Sequence, residues 1–157
     1  MGLIIGPTPW WQANLVSSIP VGSALLDGSR IICKAGGTAW IVAPVSTQVV
    51  VTWNGTTNTQ VGNKCCVCDW PCLNTQMINC GFNPADWFVP SCSQVQNPGY
   101  VCRCRWDSNP FNVSGCFWSS TEHNATHAVE HQSQQGAPYI FPKAFSGCIR
   151  AFRCVTY

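Results

Sequence analysis

Three groups of residues in this chain have types and spacings that do chemistry in other proteins. "CFWSSTEHNATHAVEH" (116–131) holds every histidine, His123, His127 and His131, four apart, with Glu122 and Glu130 beside them. On a helix such residues share a face, and paired histidines with a glutamate are how many zinc hydrolases build their site. "CCVCDWPC" (65–72) contains Cys65-x-x-Cys68, one half of a zinc knuckle, for which Cys102-x-Cys104 is a candidate second half. "SSTE" (119–122) sets serines near a glutamate and a histidine, the raw material of a hydrolase.

Each reading depends on the element that carries the residues. Asn124, Ala125 and Thr126 start a helix poorly and no strong helix former follows. On a strand, His127 and His131 lie about 13 Å apart along the backbone, too far to bind one ion. The histidines therefore read as polar surface side chains, and no metal is expected. The cysteine spacing departs from paired Cys-x-x-Cys knuckles, which favours disulfides, with zinc and free buried thiols as the alternatives. The serines lack the Gly-x-Ser-x-Gly elbow of a nucleophile, and six carboxylates in the whole chain leave few acids and bases. No enzyme activity and no cofactor are expected.

Composition sharpens this. Only 9% of the 157 residues are charged, against roughly 25% in ordinary soluble proteins. Eight Trp, seven Phe and eleven Pro argue against disorder. A net charge of +2, with Arg103, Arg105, Arg150 and Arg153 scattered, gives no basic face for nucleic acid or an anionic membrane. No segment approaches the 18 or so apolar residues of a membrane span. Twelve cysteines, Cys33, Cys65, Cys66, Cys68, Cys72, Cys80, Cys92, Cys102, Cys104, Cys116, Cys148 and Cys154, read as a disulfide framework of an oxidising compartment. Yet "MGLIIGPTPWWQANLVSSIP" has no basic n-region and no cleavage site, so it is no signal peptide. A removed signal, release by lysis within a virus particle, or metal-bound cysteines would each reconcile the two.

Short β-branched runs follow from about Gly28: "SRIICKA", "TAWIVAPV" and "TQVVVTW". "DWPCLNTQMINCGF" (69–82) is the best helix, with Asp69 as cap, Pro71 in the first turn, Leu73, Met77 and Cys80 on one face, and Gly81 as stop. A shorter helix is predicted from Ser91, ending before Pro98. "GCFWSST", "HAVEH" and "GCIRAFRCV" read as further strands; the last alternates, with Cys148, Arg150, Phe152 and Cys154 on one side. The class is α+β with a mainly antiparallel sheet.

Three stretches then stand out in order: "ADWFVPSCSQVQ" (85–96), "FWSSTE" (117–122) and "CIRAFRCV" (148–155). They resemble the signatures of a bacterial and phage domain family that includes the C-terminal domain of the Legionella collagen-like adhesin and the Fibrobacter major-paralogous-domain proteins. "PVGSALLDGSRIICKAGGTAWIVAP" resembles the family's opening strands, so the likeness covers residues 20–157. It implies a C-type-lectin-like fold in which the first and last strands pair and the termini lie close together. Asp86, Trp87, Pro90, Ser91, Trp118, Ser119, Ser120, Thr121, Glu122, Arg150 and Arg153 become structural residues. The likeness also suggests a bridge from Cys72 or Cys80 to Cys148 or Cys154. Calcium-dependent sugar binding is not expected, because its Glu-Pro-Asn and Trp-Asn-Asp motifs are missing.

Recognition is then left to loops. "NGTTNTQ" offers Asn54, Thr56 and Asn58; "WDSNPFN" offers Trp106, Asn109 and Phe111; "EHNATH" offers His123, Asn124 and His127. Residues 1–19, with Trp10 and Trp11 in an uncharged segment, read as an arm that docks on a neighbouring subunit. The function expected is a phage virion structural protein, a capsid decoration (cement) protein or a small tail or neck component. Its partners would be capsid or tail proteins, and it would occur in many copies or as a homo-oligomer. It would be extracellular after lysis. The alternative is an adhesin that reads host-surface glycan or protein through the loops.

Overall fold

The first hairpin follows from its punctuation. Gly36 and Gly37, at φ 58° and 78°, supply the two left-handed residues of a tight turn. They join β1 (Arg30–Ala35) to β2 (Thr38–Val42). The remaining strands are β3 (Val49–Thr52), β4 (Cys116–Glu122), β5 (His127–Gln132), β6 (Pro138–Pro142), β7 (Ser146–Ile149) and β8 (Phe152–Thr156). The computed structural model describes residues 16–55, 57–108, 116–132 and 136–157. Two sheets form, in the orders β1-β2-β8 and β3-β7-β4-β5-β6. Among the described residues, all strand pairings are antiparallel except β4 with β7. The protein is therefore α+β and mainly antiparallel, as its sequence suggests.

The helix α1 spans Pro71–Asn79 and buries Leu73 and Met77, one face of the anticipated pattern. Its cap position is Trp70 and not Asp69, because Pro71 occupies the first helical position; no side chain caps the amides. Gly81, at φ 88°, ends it. The shorter helix begins with Ser91 in a reciprocal capping box with Gln94. Asn97 leaves helical geometry before Pro98, and the chain turns on to Tyr100.

Two expectations need correction. The last strand pairs with β2, not with the first strand, so β2 is the centre of the small sheet. "GCIRAFRCV" is not one strand. It breaks at Arg150 and Ala151 into β7 and β8, which belong to different sheets. The break is where the buried Arg150 side chain turns toward Asp107 and Gln48, while the Ala151 carbonyl accepts from the Ala43 amide.

The core has two parts. The larger gathers Trp53, Trp70, Trp118, Leu73, Met77, Ile31 and Ile41; the smaller gathers Ile32, Val42, Trp106, Phe117 and Phe152. Val16 is fully buried in the larger part and Ile19 packs against it. The domain thus includes residues 16–19, which the sequence reading assigned to the arm. Trp10 and Trp11 lie outside the described residues. No helix among the described residues is long and apolar enough to cross a membrane.

Candidate functional site

The three sequence signatures meet in space. Phe88 exchanges two backbone hydrogen bonds with Phe152, at 2.9 and 2.8 Å. The Ser120 amide donates to the Pro90 carbonyl at 2.8 Å, and the Cys92 amide donates to Thr121 Oγ1 at 3.0 Å. Trp87 meets Phe82 edge to face, and its ring centre lies 5.9 Å from the Arg153 guanidinium; Asp86 precedes it in a 3-10 turn.

Each polar side chain of Ser119–Glu122 has a structural partner. Ser119 Oγ donates to the Val129 carbonyl, Trp53 Nε1 donates to the Ser119 carbonyl, and Ser120 Oγ sits 3.6 Å from Cys65 Sγ. Trp118 is buried and donates to the Val51 carbonyl at 3.0 Å. Glu122 accepts from the Val61 and Gly62 amides, both at 2.9 Å, and from Lys143 Nζ at 2.6 Å. Burial raises its carboxyl pKa, but these donors outweigh burial and hold it below the ordinary carboxylate value.

The histidines follow the strand reading. His127 and His131 lie on β5, paired across from Pro142 and Pro138. His131 is buried, stacks on Tyr100 and contacts Gln96 Oε1. It is therefore not the surface side chain expected of it. His127 Nδ1 bonds Thr126 Oγ1 at 2.7 Å, and His123 is exposed. Among the described residues the one group of three ligand types is Cys66, Cys68 and Asp69, and Cys66 and Cys68 are joined as a disulfide. The other ten cysteines are free thiols. The suggested bridge from Cys72 or Cys80 to Cys148 or Cys154 is not formed: all four are free thiols, Cys80 Sγ donates to the Ser46 carbonyl, and Cys148 lies on β7 across from Val50.

Two of the three recognition loops converge. Lys143 Nζ donates to the Thr59 carbonyl and to Glu122, and its backbone amide donates to the Thr126 carbonyl. One buried lysine so ties the Asn54–Gln60 loop, the Glu122–His127 turn and the end of β6 together. Asn58 is exposed there, and Asn124 closes its turn by accepting from the Thr126 and His127 amides. Asn54, at φ 47°, and Gly55 line an apolar cleft of about 230 Å³ with Val51, Thr52, Trp70, Pro71, Cys72 and Leu73. That volume is below the roughly 300–1,000 Å³ of small-molecule sites, and no charged side chain faces it. Phe145 and Ile140, 56% and 53% exposed, add an apolar edge beside β6.

Trp106 must be withdrawn as a contact residue. It is buried between Phe117 and Phe152 with the Arg150 guanidinium 5.1 Å from its ring. Thr56, Asn109 and Phe111 lie outside the described residues. Lys143 and Asp107 escaped the sequence reading, and Cys72 was read as a disulfide candidate, not as the wall of a cleft. A lone lysine inside "YIFPKAF" was the available signal, since a charge in an apolar run needs a buried partner. Compared with known proteins, the chain matches no family model and no curated protein.

Proposed function

We propose that this is a non-enzymatic binding and assembly protein of C-type-lectin-like fold, serving a phage virion as a capsid decoration protein or a small tail component. One observation carries the assembly reading: the charged side chains of the candidate site are used internally. Glu122 and Lys143 are 4% and 0% exposed and hold loops in place. Outward, the same region offers amides, aromatics and a small uncharged cleft. Such a surface, which also carries the His123 and His127 imidazoles, recognises by shape and burial. The interlocked signatures support the fold reading, although β8 pairs with β2 where the resemblance implied the first strand.

Quantitative mass spectrometry of gradient-purified particles, scaled to the major capsid protein, tests this. Hundreds of copies per particle are expected for a decoration protein, and a few dozen or fewer for a tail component. Absence from the particle overturns the virion reading. Deleting residues 2–14, short of the buried Val16, should release the chain from particles if Trp10 and Trp11 anchor it. The convergence of the Asn54 and His123 loops at one end favours a second reading, an adhesin. Binding of the isolated protein to host cells, lost on shortening those loops, would support it.

A further inference from the structure

The Cys66–Cys68 disulfide joins residues two positions apart, and both are exposed. A bridge that closes so short a loop removes little entropy from the unfolded chain. The backbone around it is already held. The Cys65 carbonyl accepts from the Val89 amide at 2.7 Å, the Cys66 carbonyl from the Asp69 amide at 3.0 Å, and the Val67 carbonyl from the Trp70 amide at 2.9 Å. Trp70 Nε1 donates to the Lys64 carbonyl at 2.8 Å, and Val67, between the two cysteines, is fully buried. The bridge therefore adds little to the fold, and opening it leaves the segment anchored.

The two sulfurs are not equivalent. Cys66 is the N-cap of the 3-10 turn Val67–Asp69, and its Sγ accepts from the Cys68 amide at 3.2 Å. A hydrogen bond to a thiolate favours the charged form and makes that sulfur the better leaving group. A thiolate that attacks Cys68 Sγ thus expels the stabilised sulfur. The Asp69 carboxylate lies within 4.8 Å of both sulfurs and repels an incoming thiolate.

We propose that Cys66–Cys68 is an exchange-active disulfide, a site that takes cysteine thiols covalently at Cys68. The incoming thiolate forms a bond to Cys68 Sγ, the Cys66–Cys68 bond breaks, and its electron pair leaves on Cys66 Sγ. The incoming thiol gives its proton to solvent and Cys66 takes one back, so one disulfide replaces another with no net oxidation. Two sources carry this chemistry. One is a second copy of the chain, whose free thiols at Cys65, Cys72, Cys104 and Cys154 are exposed; the other is a small thiol of the glutathione class. The step is stoichiometric. It goes beyond the assembly reading without making the chain an enzyme, and it stands whether or not the chain belongs to a virion.

The alternative at this corner is a metal ion, since Cys66, Cys68 and Asp69 bring three ligand types together. Two sulfurs bonded to each other have no thiolate to give, however, and a structural zinc site takes four ligands. The exposed bridge suits exchange better.

The test takes the folded full chain, blocks its free thiols with iodoacetamide, and adds reduced glutathione at pH about 8. After an acid quench and a second, isotopically distinct alkylation, peptide fragmentation should place glutathione on Cys68 and the new alkyl group on Cys66. Glutathione on Cys66, a starting chain without the Cys66–Cys68 bond, opening only in denaturant, or stoichiometric zinc on these residues would each overturn the proposal. Asp69→Asn should react about threefold faster. An unchanged rate would put the attack away from Asp69 and count against the site; if this variant fails to fold, mapping of the unaltered chain decides. Unblocked chain left without glutathione identifies the source. Dimers joined through Cys68 mean a second copy, and monomers that still take glutathione mean a small thiol.

Discussion

The loop end of the larger core and the Arg150 end of the smaller one share a plan but use different cations. In the first, Lys143 Nζ lies 4.7 Å from the Trp53 ring centre and pairs with Glu122, which also accepts two backbone amides. In the second, the Arg150 guanidinium lies 5.1 Å from the Trp106 ring centre and pairs with Asp107, which accepts the Val45 amide. A lysine is a point charge, and a carboxylate, a carbonyl and a ring suffice for it. The arginine fork has five donors, and Gln48 Oε1 must take two of them, from Nε and Nη2. The lysine end therefore rests on one carboxylate and one carbonyl, while the arginine fork shares its charge over Asp107 and two bonds to Gln48. Asp107 is also the less buried carboxylate, at 16%.

The comparison breaks hardest at Lys143. Lys143→Met leaves Glu122 charged and buried with only two amides, and should cost about 3–5 kcal/mol in denaturant unfolding. A cost below about 1 kcal/mol would show that the amides alone satisfy it. Arg150→Lys keeps the charge but cannot reach Asp107 and Gln48 together, and should cost about 2 kcal/mol. If it proves silent, the fork is unimportant and the two ends are equivalent.

A smaller effect concerns pH. Glu122 has a folded pKa below its unfolded value, which is about 4.3. Its stabilisation is complete above that value and is lost as pH falls through the folded one. The acid limb of the melting curve should flatten in Glu122→Gln. The smallest effect has the opposite sign. Glu130 is 1% exposed, and burial raises its pKa against the opposing effect of the neighbouring Cys116 thiol. It costs stability only above the unfolded value, where the buried carboxyl ionises or must hold its proton. Glu130→Gln should gain about 1 kcal/mol at pH 7 and nothing at pH 4. A loss at pH 7 would mean that the carboxylate has a favourable role.

How much of this was legible can be judged residue by residue. The Gly36-Gly37 hairpin, the Leu73 and Met77 face and the Ser91 cap are local, and each is encoded within a few positions. β6 went unread because prolines stand at both its ends and only "YIF" lies between. Trp106 was taken for a loop aromatic because its neighbours are polar, whereas its burial comes from Phe117 and Phe152, ten or more residues away. His131 was misjudged for the same reason, since Gln96 and Tyr100 are supplied from another segment.

The sequence by itself determined the α+β class, most strand positions and the strand setting of the histidines, because side-chain alternation and backbone propensity act between near neighbours. Only the tertiary structure decided that β7 and β8 part into different sheets, that Glu122 meets Lys143, and that Cys102 is buried in the smaller core. Those outcomes depend on which distant segments share the interior, where a charge or a thiol takes its character from whatever is packed against it.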